Sequence, residues 1–193
     1  CVLGAEDAWT TKEPMLTART GIGVAVVNGK IYAIGGANQE GFRATTEEYD
    51  PATNTWTVKA SMPTARSDFG IAVYQKKIYC IGGYAGVLSA TGDNEAYTGV
   101  NEVYDPATNT WETMSPMPTP RLNIQANVVD GRIYVIGGIP NGTINEVYDP
   151  AADTWFTKAS IPTAVSSYSS AVVDNKIYVI TSNLTQIYHI END

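Results

Sequence analysis

A short apolar segment recurs four times along the chain, and each copy is preceded by turn-forming polar residues. The copies span residues 28–36, 75–83, 130–138 and 174–182. In the first three the apolar run ends in two glycines, whereas the fourth ends in Thr181-Ser182. The residues that open each copy, such as Asn28-Gly29, supply the positive φ angles of a tight hairpin turn. The pattern therefore predicts a β-hairpin that is repeated four times.

The first unit shows how the remaining strands are placed around this hairpin. Short runs rich in β-branched and aromatic residues predict strands A to D at residues 22–27, at 30–34, at 46–49 and from Trp56 onward. A turn signal at 50–55, which contains Asp, Pro and Asn, separates the last two strands. Helical periodicity does not compete over any comparable length. Each unit is therefore predicted to be a four-stranded antiparallel meander.

Strand B is apolar at successive positions, as in Ile31-Tyr32-Ala33-Ile34. A sheet with one face in water would alternate apolar and polar residues, so this strand must be covered on both faces. Stacked sheets arranged as blades provide such cover.

The landmarks of the unit keep one phase along the chain. Trp9, Trp56, Trp111 and Trp155 are separated by 47, 55 and 44 residues, and the glycine pairs repeat the first two of these intervals. Such internal repetition indicates one structural unit whose connecting loops vary in length. We predict structural roles for the four tryptophans and for the paired glycines, which are Gly35, Gly36, Gly82, Gly83, Gly137 and Gly138.

These elements together resemble the Kelch repeat of β-propellers. The resemblance rests on the glycine pair, the Tyr-Asp-Pro turn, the Trp that follows it and the Met-Pro-Thr-x-Arg step, and it extends over about residues 5–190. It implies an all-β, Kelch-type β-propeller with four repeats of a four-stranded antiparallel blade. The whole chain, 1–193, would be one Kelch-repeat domain, with blades at about 20–60, 67–114, 122–158 and 166–190.

The number of blades in the complete propeller stays open at this stage. In Kelch propellers a strand D at the start of the chain commonly completes the last blade, so a strand at 8–13 around Trp9 is expected to complete the fourth unit. That would close a four-blade ring. Residues 1–8 and 188–193, however, correspond to overlapping parts of a unit, which favours part of a larger propeller. An open array would expose apolar blade faces and allow self-association.

Composition and charge exclude several classes of partner. The net charge is −8, with 12 basic and 20 acidic residues and no basic cluster, which argues against nucleic acid. No apolar run approaches the roughly 18 residues of a membrane helix, so membrane insertion is not expected. The single histidine, His189, cannot form a histidine-rich metal site, and neither a metal nor a cofactor is expected. Cys80 occupies the position of small apolar residues in the other units and is expected to be buried.

Candidate binding residues lie on the face formed by the D–A and B–C connections, which we call the variable face. Arg19, Arg66 and Arg121 precede strand A in three units. In Kelch-type substrate adaptors, arginines near the start of strand A hold acidic peptide segments, so the resemblance implies an accessible cationic ring here. The alternative is that each arginine binds backbone carbonyls or an acid such as Glu47, Glu102 or Glu146.

Loop length points to a second candidate region on the same face. The longest B–C loop runs from Tyr84 to Gly99, and we take Tyr84 and Tyr97 as candidate ligand-binding residues. Variable loops on a rigid frame are the usual place for binding. Asn141 and Asn183 begin glycosylation acceptor patterns, and Asn141 would be accessible in a B–C loop.

The sequence favours a non-catalytic scaffold that binds a protein or peptide, of unknown identity, through the variable face. No Gly-x-Ser-x-Gly elbow is present, and no glycine-rich phosphate loop opens a helix. The resemblance also admits a sugar-active enzyme, because galactose oxidase and a bacterial sialic-acid mutarotase are Kelch relatives. The copper site of galactose oxidase needs two histidines, and this chain has one. A structural module of a larger surface protein is the third interpretation. Nothing in the sequence identifies the compartment.

Overall fold

The computed structural model describes residues 8–86 and 97–190, and these residues contain strands and turns but no helix. The strands are β1 Gly23–Val27, β2 Lys30–Ile34, β3 Ala37–Asn38, β4 Gly41–Phe42, β5 Thr46–Asp50, β6 Thr55–Val58, β7 Gly70–Tyr74, β8 Lys77–Ile81, β9 Asn101–Asp105, β10 Thr110–Met114, β11 Gln125–Val129, β12 Arg132–Ile136, β13 Asn145–Asp149, β14 Thr154–Thr157, β15 Ser169–Val173, β16 Lys176–Ile180 and β17 Thr185–His189.

The strands form four antiparallel sheets in chain order, which we number as blades one to four. Blade one contains β1, β2, β5 and β6, blade two β7 to β10, blade three β11 to β14, and blade four β15 to β17. A small hairpin of β3 and β4, which the sequence did not predict, lies in the B–C connection of blade one. The predicted all-β architecture of repeated antiparallel blades is confirmed.

The hairpin that joins the first two strands of each blade follows from its turn residues. In blade one, Asn28 and Gly29 adopt φ angles of 51° and 75°, and Val27 pairs directly with Lys30. Two successive positive φ angles define the type I′ turn whose twist matches antiparallel strands. The other blades place Asp130-Gly131 and Asp174-Asn175, among others, in the same conformation.

Apolar clusters between successive blades form the core. The innermost strands β1, β7, β11 and β15 contact one another in that order. Between the first two blades, Phe69 packs so closely on blade one that a β-carbon on Gly23 would lie 2.5 Å from its ring. In the described residues no contact of similar extent joins β1 to β15. Val24 and Val26 of β1 are accordingly exposed.

The fourth blade has three strands in the described part of the chain. It therefore does not contain the fourth strand that was predicted at residues 8–13. Those residues form no strand, and the Trp9 side chain is fully exposed. The following segment is bound to blade one: the Glu13 amide donates to Asn54 Oδ1 at 3.1 Å, and the Leu16 amide to Glu47 Oε2 at 3.0 Å. These bonds hold the segment at blade one rather than at the edge strand β17.

The tryptophans of strands β6, β10 and β14 clasp the linker that leads into their own blade. Each ring lies 5.1 Å from the ring of a tyrosine in the neighbouring strand of its blade. Each indole N–H also donates to a linker carbonyl, at 2.9, 2.8 and 2.9 Å, in the pairs Trp56–Glu13, Trp111–Ala60 and Trp155–Ser115. These contacts support the predicted structural role of three tryptophans, whereas Trp9 makes no such contact among the described residues.

Candidate functional site

The glycine pairs lie where the linker into the next blade crosses the variable face. The amides of Gly36, Gly83 and Gly138 each donate to a carbonyl of the following linker at 2.8 Å. A β-carbon on Gly35 would lie 2.6 Å from the Arg66 carbonyl oxygen, closer than real β-carbons approach. The absence of a β-carbon at Gly35 therefore allows the linker to pack directly on blade one.

Arg66 belongs to the linker into blade two, and its side chain is fully buried and engaged in structural bonds. Its Nη1 forms an ion pair with Glu102, and its Nη2 donates to the Cys80 carbonyl at 2.8 Å. The guanidinium also lies 5.5 Å from the centre of the Phe69 ring, within cation–π range. Buried charges of this kind persist only when they are paired and hydrogen-bonded.

The same arrangement recurs in blades one and three. Arg19 Nη1 lies 2.9 Å from Glu47 Oε1, and Arg121 Nη2 lies 2.7 Å from Glu146 Oε2. Arg19 further donates to the carbonyls of Gly35 and Ala33 at 2.8 and 2.9 Å. Burial lowers the pKa of the Arg121 guanidinium, and the Glu146 carboxylate partly offsets this effect.

The prediction of an accessible cationic ring is therefore wrong for these arginines. The side chains of Arg19, Arg66 and Arg121 have no solvent exposure. A guanidinium that already binds a carboxylate and backbone carbonyls out of water cannot also bind the carboxylate of a peptide. The alternative, in which each arginine binds carbonyls and an acid, is what the structure contains.

Blade four replaces both members of the pair. Val165 occupies the arginine position, and Gln186 occupies the acid position, as shown by its pairing with Val179 where Glu146 pairs with Val135. Gln186 accepts a bond from the Thr163 amide at 2.9 Å and donates to the Thr163 carbonyl at 3.0 Å. The linker is thus still held by the side chain of the third strand, but without charge.

An aromatic cluster bridges the B–C loops of blades one and two on the variable face. The rings of Phe42 and Tyr84 lie 5.2 Å apart, and those of Tyr84 and Tyr97 lie 6.1 Å apart, both edge to face. All three side chains are partly exposed. The structure therefore brings together Tyr84 and Tyr97, while residues 87–96 of the same loop lie outside the described part of the chain. We call these three residues the aromatic cluster.

Beside the propeller axis a polar pocket opens on the variable face, and we call it the axial pocket. Its volume is about 250 Å³. The residues that line it are Gly21, Ile22, Asp68, Phe69, Asn123, Ile124, Gln125, Ser166, Ser167 and Tyr168. The Tyr168 hydroxyl accepts a bond from the Gln125 amide at 3.0 Å and donates to the Ile136 carbonyl. Burial raises the pKa of Tyr168 to about 12, so its hydroxyl stays protonated at neutral pH.

Three equivalent residues at this pocket adopt left-handed backbone conformations. Gly21, Asp68 and Asn123 have φ angles of 63°, 55° and 52°. The Asp68 amide donates to the Gly21 carbonyl at 3.0 Å, and the Asn123 amide donates to the Asp68 carbonyl at 2.9 Å. Gly, Asn and Asp are the residues that tolerate this conformation. This residue pattern, two positions after each arginine, is the signal that sequence reasoning missed for Asp68; Phe42 had no repeated counterpart that could mark it.

Across residues 8–86 and 97–190, no three His, Cys, Asp or Glu side chains are grouped so that they could hold a metal ion. Cys80 is buried, and burial raises the pKa of its thiol to about 12. No helix in this part of the chain could cross a membrane.

Comparison with solved structures supports the fold. A structure titled "Structure of YjhT" superimposes with a TM-score of 0.74 at 19% identity, and the match covers 91% of this chain and 63% of that one. At this identity the similarity concerns the fold alone.

Sequence relatives give shorter matches. The chain is 36% identical over 125 residues to the human (Homo sapiens) influenza virus NS1A-binding protein, covering 65% of this chain and 11% of that protein. The mouse (Mus musculus) homolog is 32% identical over 125 residues with the same coverage. Kelch-like ECH-associated protein 1A of Danio rerio is 40% identical over 45 residues, 23% of this chain and 8% of that protein. The chain thus spans about a tenth of the length of these relatives.

A family model covers most of the chain. The KLHDC2/KLHL20/DRC7 Kelch-repeats domain matches residues 9–182, which include blades one to three and the strands β15 and β16 of blade four. The match agrees with the repeated glycine pairs, the tryptophan clasps and the antiparallel blades described above. The chain therefore belongs to the Kelch-repeat family of β-propellers.

Proposed function

We propose that this chain is a protein- or peptide-binding scaffold that uses the variable face. Its relatives support a role of this class, because one is named for binding influenza virus NS1A and another for its association with ECH. The proposal assigns no catalytic step to the face. The acids Glu47, Glu102 and Glu146 are each bound to an arginine and serve the blades.

The observation that carries the proposal is the aromatic cluster. Phe42, Tyr84 and Tyr97 come from two different blades and still contact one another at 5.2 and 6.1 Å, partly exposed. Aromatic side chains supply large contact areas at a small entropic cost and dominate the energetics of many interfaces. The backbone beneath them is held, since Tyr84 and Ser67 exchange amide-to-carbonyl bonds at 2.9 and 3.0 Å.

The experiment is selection of binders from a random peptide display library on the purified chain, followed by affinity measurement with variants. We expect Tyr97→Ala and Phe42→Ala to weaken the selected peptides by about tenfold or more, the loss typical of an anchoring aromatic residue. Tyr74→Ala is the matched control, because Tyr74 ends β7 on the opposite face.

The measured affinities show whether the peptides bind the variable face or the opposite face. Equal losses for Tyr97→Ala and Tyr74→Ala would contradict binding at the variable face. A library that yields no binder whose affinity depends on the aromatic cluster would also contradict the proposal. Thermal melting of each variant checks that the fold is retained.

A further inference from the structure

We propose that the axial pocket receives the ammonium group of a lysine side chain from the bound peptide. This inference rests on the function proposed above and specifies the partner's chemistry. The proposed ligand group is cationic, whereas the sequence analysis expected the arginines to hold an acidic peptide.

The charge of the pocket favours a cation. Asp68 is the one charged side chain among the residues that line the pocket. Arg66 and Arg121, which precede two of the lining segments, are each neutralised by a buried glutamate. Asp68 forms no ion pair with any other residue that the structure describes, and a carboxylate of this kind on an acidic protein attracts cations and repels acidic segments.

The Asp68 carboxylate is held in place before any ligand arrives. The Ser67 hydroxyl bonds its Oδ2 at 2.6 Å. Its two oxygens lie 3.1 and 3.2 Å from the point where a β-carbon on Gly21 would be, so the absent side chain of Gly21 leaves them room. The backbone is bonded on both sides, to Gly21 and to Asn123. Such preorganisation reduces the entropic cost of binding.

Size and hydrogen-bonding capacity select the kind of cation. A volume of about 250 Å³ is below the range of roughly 300–1,000 Å³ typical of pockets for drug-sized ligands, so it suits the end of one side chain. An ammonium donates three bonds, and a carboxylate with the neighbouring amide and hydroxyl oxygens of Asn123 and Ser167 can accept them. A compact ammonium needs no planar alignment with both carboxylate oxygens, whereas a guanidinium binds best when it faces both of them.

The primary test titrates the chain with n-butylammonium, a mimic of the lysine side chain, and follows backbone amides by NMR. We expect saturable shifts at Asp68, Asn123 and Gln125, weakened about tenfold in Asp68→Asn because a charge-assisted bond is lost. The variant is conservative, since Asn123 occupies the equivalent left-handed position in the next blade. Asp174→Asn, at an exposed left-handed position of the opposite face, is the matched control and should bind normally.

Neutral n-butanol is the comparison ligand. If n-butanol shifts the same amides with the same affinity, the pocket recognises a hydroxyl group and the inference is overturned. An unchanged affinity of n-butylammonium for Asp68→Asn would overturn it as well.

The selected peptides separate this inference from the proposed function. We expect them to contain lysine, and replacement of that lysine by the neutral norleucine should weaken binding to the native chain but not to Asp68→Asn. Peptides that depend on Tyr97 and ignore Asp68 would overturn the inference and leave the proposed function intact. Binding of n-butylammonium without any peptide dependent on the aromatic cluster would support the ammonium site and overturn the proposed function alone.

Discussion

Blades two and four solve the same packing problem in different ways. In blade two the linker is held by a buried pair, Arg66 and Glu102, whereas in blade four Val165 and Gln186 occupy the same positions. Both the arginine and the glutamate of the pair are thus replaced in blade four. Loss of the arginine alone would leave a carboxylate buried without a partner, which costs more than loss of the pair. Blade four therefore retains the linker bond and dispenses with charge.

The glycine pair marks a second difference between the two blades. In blade two, a β-carbon on Gly82 would lie 2.7 Å from the Arg121 carbonyl oxygen, because the next linker crosses directly above. In blade four Thr181 stands at this position, and its amide bonds Leu184 of its own loop at 2.9 Å, just as the Gly82 amide bonds Val100 at 2.8 Å. Glycine is thus present where a following linker is packed on the blade in the described structure.

The largest effect is expected when one half of the buried pair is removed. Arg66→Met should lower the free energy of unfolding by about 3–5 kcal/mol, since Glu102 would stay buried without its partner. Adding Glu102→Gln, which reproduces the neutral chemistry of blade four, should recover at least half of that loss. Urea denaturation at neutral pH measures both values.

The exposed pair of Arg43 and Glu40 provides the control for this experiment. Glu40 is largely in solvent, so Glu40→Gln should change stability by no more than about 0.5 kcal/mol. If the double variant in blade two is as unstable as Arg66→Met alone, the two positions are not coupled as the comparison of blades indicates.

A somewhat smaller effect is expected at the glycine pair. Gly29→Ala isolates the cost of a left-handed backbone, because Gly29 has a φ of 75° and no atom lies within 4 Å of its added β-carbon. That cost is about 1–2 kcal/mol. Gly82→Ala carries the same cost plus a steric clash with the Arg121 carbonyl, so its loss should be clearly larger in the same urea measurement. Equal losses would show that the linker can move aside.

Replacement of the clasping tryptophans should have a still smaller effect. Trp111→Phe retains an aromatic ring against Tyr104 but loses the bond from the indole to the Ala60 carbonyl. We expect a loss of about 1 kcal/mol, the usual net value of one hydrogen bond. Trp9→Phe should be neutral, because Trp9 is fully exposed. A comparable loss at Trp9 would indicate that it packs against a partner in solution.

The smallest expected change in stability occurs at alkaline pH. Burial raises the pKa values of Tyr104 and Tyr168 to about 12, while tyrosine in an unfolded chain ionises near pH 10. The unfolded state therefore loses protons first. The buried Cys80 thiol, whose pKa is raised to about 12 but is about 8.5 in an unfolded chain, should begin the decline in stability above about pH 8.5, and the tyrosines should steepen it between about pH 10 and 12. Chemical denaturation between pH 8 and 11.5 would measure this decline. Tyr104→Phe should make it shallower, and an unchanged slope would exclude Tyr104 as a contributor.

The sequence predicted the fold because its signals are local and repeated. Strand B of the first unit was placed at residues 30–34 and is observed as β2 Lys30–Ile34, since the hairpin turn before it and the glycines after it fix both ends. The missing fourth strand of the last blade was not predicted. Trp9 matches the tryptophan of strand D in the other units, and this match led to the prediction of a strand. It could not reveal the tertiary hydrogen bonds that hold Glu13 and Leu16 at blade one.

The binding residues were harder to predict because their environment depends on distant contacts. Arg66 and Glu102 meet only because the register places Glu102 opposite Cys80, whose carbonyl also binds the arginine. Residue type and spacing could not distinguish this from an open arginine. The joint change to Val165 and Gln186 was visible in the sequence and would have indicated the pairing. The contact of Phe42 with Tyr84 depends on loop geometry and had no comparable signal.

The tryptophan clasp also suggests how such a chain can gain or lose blades. Trp111 binds the linker that leads into its own blade, so the stretch from Ala60 to Met114 fastens its first and last parts to each other. A gene segment copied with these boundaries would carry both halves of the clasp, whereas a segment cut between linker and first strand would separate them. A duplication with these boundaries therefore inserts a blade that contains both the tryptophan and the linker carbonyl that it binds.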